Sequence, residues 1–495
     1  MASARTLVLA PFTAILLVPL AGLLSPIALE AQTTVFWDIN GATAGSSGST
    51  TAAGTWDQST TANWSTNSAG TAATATWSTA SGGSGIAVFS AGTNATGAYT
   101  VTASGTITGV AGITFQEGTV TVGGGTLTLA NSGTINVAST TATISSYLTG
   151  SADLTKTGSG TLVLSSASRN DYTGATNINA GTLQLGISNY VIPNASAVTV
   201  ASGATLDLHG FGETVGSIAG AGNITLGSGS LQQSGSASTT FSGVISGTGY
   251  LQKAGTGTLT LSGANTYTGA TNINAGTLRL GANNALSSGT AVTVASGATL
   301  NLNNYSDTVG SLAGSGIITL GGGTLTVGND NTNTTFSGSF TSGDTGTFAK
   351  TGTGTLTFGA GMNLASGTLI LSGGTLNLGG FSSTFNSLSV TANSTIDFGA
   401  TGASILNLNS LTVASGVTLT ITDWNNAVDY FYSTNNPMPT LLGHIVFSGF
   451  TSSDTKWLSY DHEVSPVPEP SIYGAALLGL GTLFSAWGLR RRRTA

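Results

Sequence analysis

Charge is what this chain most lacks. Only 11 Lys+Arg and 18 Asp+Glu occur in 495 residues, or 6%, where about a quarter is usual for soluble domains. Cysteine is absent, so no disulfide can staple the fold, and stability has to come from strand pairing and core burial. Helical periodicity is missing between residues 32 and 464. The few basic residues form no stripe, which excludes the electrostatic footprint of a nucleic-acid-binding surface. Nor is there a phosphate loop, because the glycines sit between strand-like runs and none leads into a helix. Low charge does not mean disorder here. A 40% hydrophobic content with a net charge of −7 is far from the polar, highly charged composition of disordered chains.

What fills the space is glycine, at 73 residues, together with Thr, Ser, Ala, Asn, Leu and Val. The local pattern is two-residue alternation. Thr258-Leu259-Thr260-Leu261, Thr161-Leu162-Val163-Leu164 and Thr355-Leu356-Thr357-Phe358 each put apolar side chains on one face and mostly Thr on the other, the mark of a half-buried strand. Runs of four to six such residues are separated by Gly, Ser, Asn or Ala, which supply turns.

Long-range repetition is stronger still. Residues 172–186 read YTGATNINAGTLQLG and residues 267–281 read YTGATNINAGTLRLG, differing only at Gln184 against Arg279. AVTVASGATLDL at 197–208 returns as AVTVASGATLNL at 291–302. Lys156, Lys253 and Lys350 each precede a Gly-Thr-Leu segment, at intervals of 97 residues. Many short strands in near-identical units favour a solenoid over a sandwich or closed barrel, because each coil then buries its face on a similar neighbour. The expected fold is all-β: an elongated parallel β-helix, right-handed by the crossover rule. With roughly 20–25 residues and about 4.8 Å per coil, it would be on the order of 80–100 Å long. Its Asn and Thr would stack in ladders from coil to coil.

Both ends read as targeting segments. Arg5 precedes an apolar run over residues 7–24, and a small-residue exit ends at Ala31. That describes a secretory signal helix cleaved after Ala31, with Ala28 as the alternative site and an uncleaved anchor as the alternative reading. At the other end Val467-Pro468-Glu469-Pro470 leads into residues 472–489, apolar or small and uncharged, followed by Arg490, Arg491, Arg492 and Arg493. About 18 such residues just span a bilayer core, so a single transmembrane helix is expected, its arginines cytoplasmic and the body outside. Loss of both ends would take away Arg5, the four terminal arginines and Glu30, leaving a body of about −11.

The Pro-Glu-Pro motif, apolar helix and arginine tail, in that order, resemble the PEP-CTERM sorting signal of Gram-negative bacteria. The resemblance implies an exosortase-type membrane protease as partner, cutting near Pro468-Glu469-Pro470, and a setting in extracellular polysaccharide. An ordinary uncleaved tail anchor is the alternative. In the body, GTLTLSGANTYTG at 257–269 with Gly276-Thr277-Leu278 is similar to the autotransporter-associated β-strand repeat. Residues 157–186 give another copy and residues 354–379 a decayed third without the Tyr-Thr-Gly step. A true autotransporter ends in a membrane barrel of amphipathic strands. This chain shows none, so self-translocation is not carried over.

The organisation expected is therefore a signal peptide at 1–31, an N-terminal cap with the first coils at 32–135, and a repeat β-helix at 136–421. A C-terminal cap and tether at 422–464 and the sorting signal at 465–495 complete it. Trp37, Trp56, Trp64 and Trp77 read as a plug closing the first coil, or alternatively as a carbohydrate-stacking platform. Trp424, Tyr430, Phe431, Tyr432 and Trp457 read as the opposite cap, and residues 459–466 as the tether.

No residues suggest catalysis. Asp207 and His209, two apart, could share a strand face as an acid–base or metal pair, but the corresponding repeat positions are Asn301 and Asn303, so they read as drift in a polar ladder. Asp461-His462-Glu463 reads as solvated linker. Asp171, Asp307, Asp330 and Asp344 are too dispersed in sequence to suggest the carboxylate pair of a β-helix lyase or glycosidase, although coil stacking can bring distant residues together. Asn329-Asp330-Asn331 lacks the Gly/Asp repeat of a Ca²⁺ site. The Asn-x-Ser/Thr triplets at Asn63, Asn94, Asn194, Asn223, Asn333 and Asn393 are what this composition yields by chance. No cofactor or metal is expected. The reading is a non-enzymatic structural or adhesive protein, exported, held at the inner membrane at least transiently, and destined for the cell surface or matrix. A polysaccharide lyase or an uncleaved membrane spacer are the alternatives.

Overall fold

A computed structural model describes residues 32–138, 140–187, 191–425, 427–437, 439–458 and 462–466. The expected signal helix with Ala31, and the sorting tail from Val467 through Arg493, lie outside the described residues. Among those that are described, no helix is long and apolar enough to cross a membrane.

The body is an all-β parallel solenoid. Alternation becomes burial as expected: in Thr258–Leu261, Leu259 and Leu261 are fully buried while Thr258 and Thr260 face outward. Neighbouring turns lie in register, so that Thr161 faces Thr182 and Leu162 faces Leu183 one turn on. Among the described residues four sheets result, of 16, 9, 12 and 9 strands. Many strands are only three or four residues long, and among the described residues the α-helices are single turns at Trp77–Ala80 and Pro439–Leu442. The glycine of each Gly-Thr-Leu segment is required by the coil. Gly276 has φ +66°, and a Cβ there would sit 2.5 Å from the Gly257 carbonyl oxygen of the turn before.

The sheets follow each other around the rod as three faces. Ala197–Val200 lies in the 16-stranded sheet, Thr205–Asp207 in a nine-stranded one and Glu213–Val215 in the 12-stranded one, before Ser217–Gly220 re-enters the first. The first nine-stranded sheet ends at Ile245–Ser246, and from Asp307–Val309 the other takes the same place in the cycle. The 97-residue unit does not close on this cycle. Leu154–Thr157, which carries Lys156, belongs to the first face. The matching Tyr250–Lys253 belongs to the third, and Thr347–Thr351 to the second. Each unit therefore stops one third of a turn short of five turns, and successive copies are rotated by about 120° and advanced on the order of 22 Å along the axis. Identical residues of different units do not stack on one another. The ladders join the Gly-Thr-Leu echoes of adjacent turns, as in Leu162, Leu183, Leu206 and Ile224.

Both ends are closed by aromatic residues and antiparallel pairing. Trp37, Trp56, Trp64 and Trp77 are buried, with ring centroids 5.0–5.1 Å apart in edge contacts, and Phe36 and Trp37 pair antiparallel with Ser65 and Trp64. This overturns the carbohydrate-platform alternative, since no ring face is open to a sugar. At the far end Trp424 packs edge-on against Phe398 and Phe447. The tether expectation needs correction there. Glu463–Pro466 is a strand antiparallel to Thr455–Leu458, Val464 is fully buried, and His462 stacks on Trp457. Backbone pairing holds that segment, so residues 462–466 are no solvated linker.

Candidate functional site: outward polar steps on a wired interior

The repeated motif encodes an internal hydrogen-bond circuit. Buried Asn170 accepts from the Leu148 N–H of the turn before at 2.8 Å, and donates to the Val191 carbonyl of the turn after at 2.7 Å. Asn265 does the same between Ile245 and Ala285, at 2.8 and 2.6 Å. One side chain thus bolts three turns together. Two residues on, the Tyr172 hydroxyl meets Thr176 Oγ1 at 2.7 Å, which meets Ser196 Oγ at 2.9 Å. Tyr267, Thr271 and Thr290 repeat that chain at 2.6 and 3.0 Å. Burial holds both phenols well above their usual pKa, so they stay neutral donors.

The three repeat lysines are buried, with no carboxylate partner among the described residues. Lys156 Nζ donates to the carbonyls of Thr157 and Gly158 at 2.8 Å and of Ala180, one turn on, at 3.1 Å. Lys253 reaches Gly255 and, at 3.2 Å, Ala275; Lys350 reaches Thr351 at 2.6 Å and Gly352 at 3.4 Å. Desolvation pulls the Lys156 ammonium down to about 8. Their role is to satisfy corner carbonyls, which their spacing in the sequence could not reveal. Gln233, in register with Lys253, serves the Gly216 and Gly235 carbonyls in the same way.

Two buried acids occupy matching corners. Glu213 accepts from the Thr214 N–H at 3.1 Å and the Ile192 N–H at 3.4 Å. Asp307 accepts from Leu286 and Thr308 at 2.9 and 2.8 Å. Burial raises Glu213 to about 8 and Asp307 to about 6. Asp344 likewise binds the Leu320 and Gly321 N–H groups at 2.7 and 3.0 Å.

On the outside each unit carries a matching polar step, on a different face. In the first, Gln184 Nε2 donates to Asp207 Oδ2 at 2.8 Å, and His209 Nδ1 lies 3.9 Å from the same oxygen. In the second, Arg279 stands in register with Asn301 and donates to Asn303 Oδ1 at 2.8 Å. In the third, Asn377 Nδ2 donates to Asp397 Oδ2 at 2.6 Å. The acid or amide has a turn to hold. Asp207, Asn301 and Asp397 accept the N–H two residues on, from His209, Asn303 and Gly399, at 2.8–2.9 Å. All three of those donors have positive φ. Asp207 and His209 are thus a turn pair in a polar ladder, as the repeat comparison implied.

The other candidates do not converge. Asp330 accepts from Thr332, and Asn331 from Thr353 one turn away, so their oxygens face separate partners. Asp171 holds the Tyr147 hydroxyl. Asp397 and Asp423 do touch, and burial with the Asp423 charge raises Asp397. Carboxyls in hydrogen-bonding contact leave no room for a glycosidic bond, which needs roughly 5–10 Å between them. His444 bonds the Val417 carbonyl at 2.9 Å, and no group of three His, Cys, Asp or Glu able to hold a metal occurs among the described residues.

Comparison with known proteins agrees with this register. The passenger-associated-transport-repeat family matches residues 154–185, 251–280 and 348–378, the three lysine-bearing segments. A PEP-CTERM protein-sorting motif matches residues 466–493. Over 124 residues the chain is 48% identical to the adhesin BmaC autotransporter of Brucella suis biovar 1 (strain 1330); this covers 25% of the chain and 4% of that protein's length. No solved structure matches. The chain is thus a β-solenoid carrying three passenger-associated-transport repeats and a C-terminal PEP-CTERM protein-sorting motif.

Proposed function

We propose that this is an exported structural or adhesive surface protein, sorted through its C-terminal signal and working in an extracellular polysaccharide matrix. The observation that carries this reading is the division of labour along residues 154–378. Titratable groups inside the rod are absorbed by backbone and by buried hydroxyls, and the outer faces present hydroxyls and amides in register rather than a reactive centre. A long, weakly charged surface of this kind suits multivalent contact with glycans or neighbouring rods. The sorting motif and the partial likeness to an autotransporter adhesin point the same way. In this reading the signal peptide leaves at Ala31 and residues 472–489 hold the chain in the inner membrane. An exosortase-type protease then cuts near Pro468-Glu469-Pro470. Residues 136–421 form the shaft, coiled in the right-handed sense that crossovers favour, between end regions at 32–135 and 422–464.

Intact-mass and fractionation analysis of the native protein in an exosortase-bearing host tests this. A mass ending near Pro470, with protein in the surface or matrix fraction, is expected. A full-length tail retained in the inner membrane would replace the reading with a tethered spacer.

A further inference from the structure

We propose that the Arg279 step is a binding site for the carboxylate groups of an acidic polysaccharide. The inference rests on the adhesive reading above and names the chemistry of one of its contacts. Cations are scarce on this rod. Of the 11 basic residues, Arg5 and the four terminal arginines lie outside the described residues, and Lys156, Lys253 and Lys350 are buried. Arg169, Arg279 and Lys456 remain. Arg169 is exposed, but its charge acts on the Tyr147 hydroxyl that Asp171 holds and on the buried Glu213. Lys456 bonds the Ser453 carbonyl and lies beside Asp454. Arg279 is exposed, and its ion pairing is nil among the described residues.

Its surroundings have the character of a saccharide contact. Arg279 lies in an open groove of about 520 Å³ whose walls include Thr240, Thr258, Thr260, Thr277 and Asn303. Strand register lines Thr240, Thr260, Arg279 and Asn301 up across successive turns. The result is a track of hydroxyl and amide groups with one guanidinium in its middle. A single hydrogen bond to Asn303 leaves most of the five guanidinium donors for a ligand, in the fork geometry that matches a carboxylate.

The matching steps of the other units sharpen the assignment. Where the second unit has Arg279, Asn301 and Asn303, the first has Gln184, Asp207 and His209, and the third has Asn377, Asp397 and Gly399. Both neighbours present a carboxylate, and the second unit alone replaces it with an amide and adds a cation. The sign of the step is reversed while its backbone turn is kept, so the change acts on what meets the surface and not on the fold. An acidic glycan would be gripped on this face and repelled from the equivalent steps on the other two.

The test is binding of the purified full-length chain, in detergent, to immobilised polygalacturonate and to neutral dextran by interferometry. Preferential binding to polygalacturonate, weakening as salt rises, is expected. Arg279→Gln installs the residue the first unit carries at this position, and should weaken that binding about tenfold with hydrogen exchange over residues 258–301 unchanged. The paired change Gln184→Arg with Asp207→Asn should add a second site and strengthen binding severalfold. Unchanged polygalacturonate binding by Arg279→Gln would overturn the proposal, as would equal binding to dextran. So would light scattering that shows self-association without polymer, abolished by the same variant, which would assign the step to a second copy of the chain. Dextran binding that survives in the variant would leave adhesion standing without this site. Failure of sorting in the fractionation experiment is read independently of either polymer.

Discussion

The first and second repeat units share almost the same residues over 172–186 and 267–281, yet they face different ways and meet solvent with opposite charge. Their interiors match in nearly every bond. Asn170 and Asn265 each bridge three turns, Tyr172 and Tyr267 open the same hydroxyl chain, and Lys156 and Lys253 serve the same corner carbonyls. Their surfaces differ at Gln184 against Arg279 and Asp207 against Asn301. A buried donor left unpaired costs about 1–3 kcal/mol, whereas an exposed substitution costs a few tenths. The pair of units displays that asymmetry: the inside is constrained and the outside is free to take on chemistry.

The comparison is broken most severely by removing the buried phenol. Tyr267→Ala should destabilise the second unit by about 4 kcal/mol, and Tyr172→Ala the first by a similar amount. Hydrogen exchange resolved by turn is the measurement, because a solenoid opens locally. Loss confined to one variant would mean the two circuits are not equivalent. Next come the polar bolts. Asn265→Ala strands the Ile245 N–H and Ala285 carbonyl and should cost about 2–3 kcal/mol. Lys253→Ala should cost about 2 kcal/mol, while Lys253→Gln should cost under about 1, since Gln233 already does this work one turn earlier.

pH separates the units by their corner acids. A carboxyl whose folded pKa is raised binds more protons folded than unfolded, so stability falls as pH climbs from the ordinary value to the folded one. Asp307 completes its loss near pH 6 and Glu213 only near pH 8. The first unit should therefore soften by about 2 kcal/mol between pH 6 and 8 while the second stays level. Glu213→Gln should flatten that slope in exchange measured across the range. Lys156 has the opposite sign: its folded pKa is lowered to about 8, so stability recovers as pH rises from there toward the ordinary lysine value. The smallest effect belongs outside. Gln184→Arg should shift local stability by less than about 0.5 kcal/mol.

Much of this was legible in the residues. Thr-Leu alternation predicts which side chains enter the core, and the repeats predict a solenoid. The tryptophans at 37, 56, 64 and 77 predict a plug as readily as a platform, because composition does not say whether a ring ends up covered. The roles of Lys156, Lys253, Glu213 and Asn170 were hidden, since each depends in part on a carbonyl or N–H roughly 20 residues away that only coiling brings near.

By itself, then, the sequence determined the alternation, the turn chemistry and the recurrence, and with them an all-β coil closed without disulfides. Those are properties of neighbours along the chain, where a period of two and a glycine at φ > 0 act locally. The tertiary structure decided how the recurrence falls around the rod. A unit of 97 residues wound at about 21 residues per turn leaves a remainder that falls a third of a turn short of five turns. That remainder sends equivalent steps, acidic and basic, to three different faces.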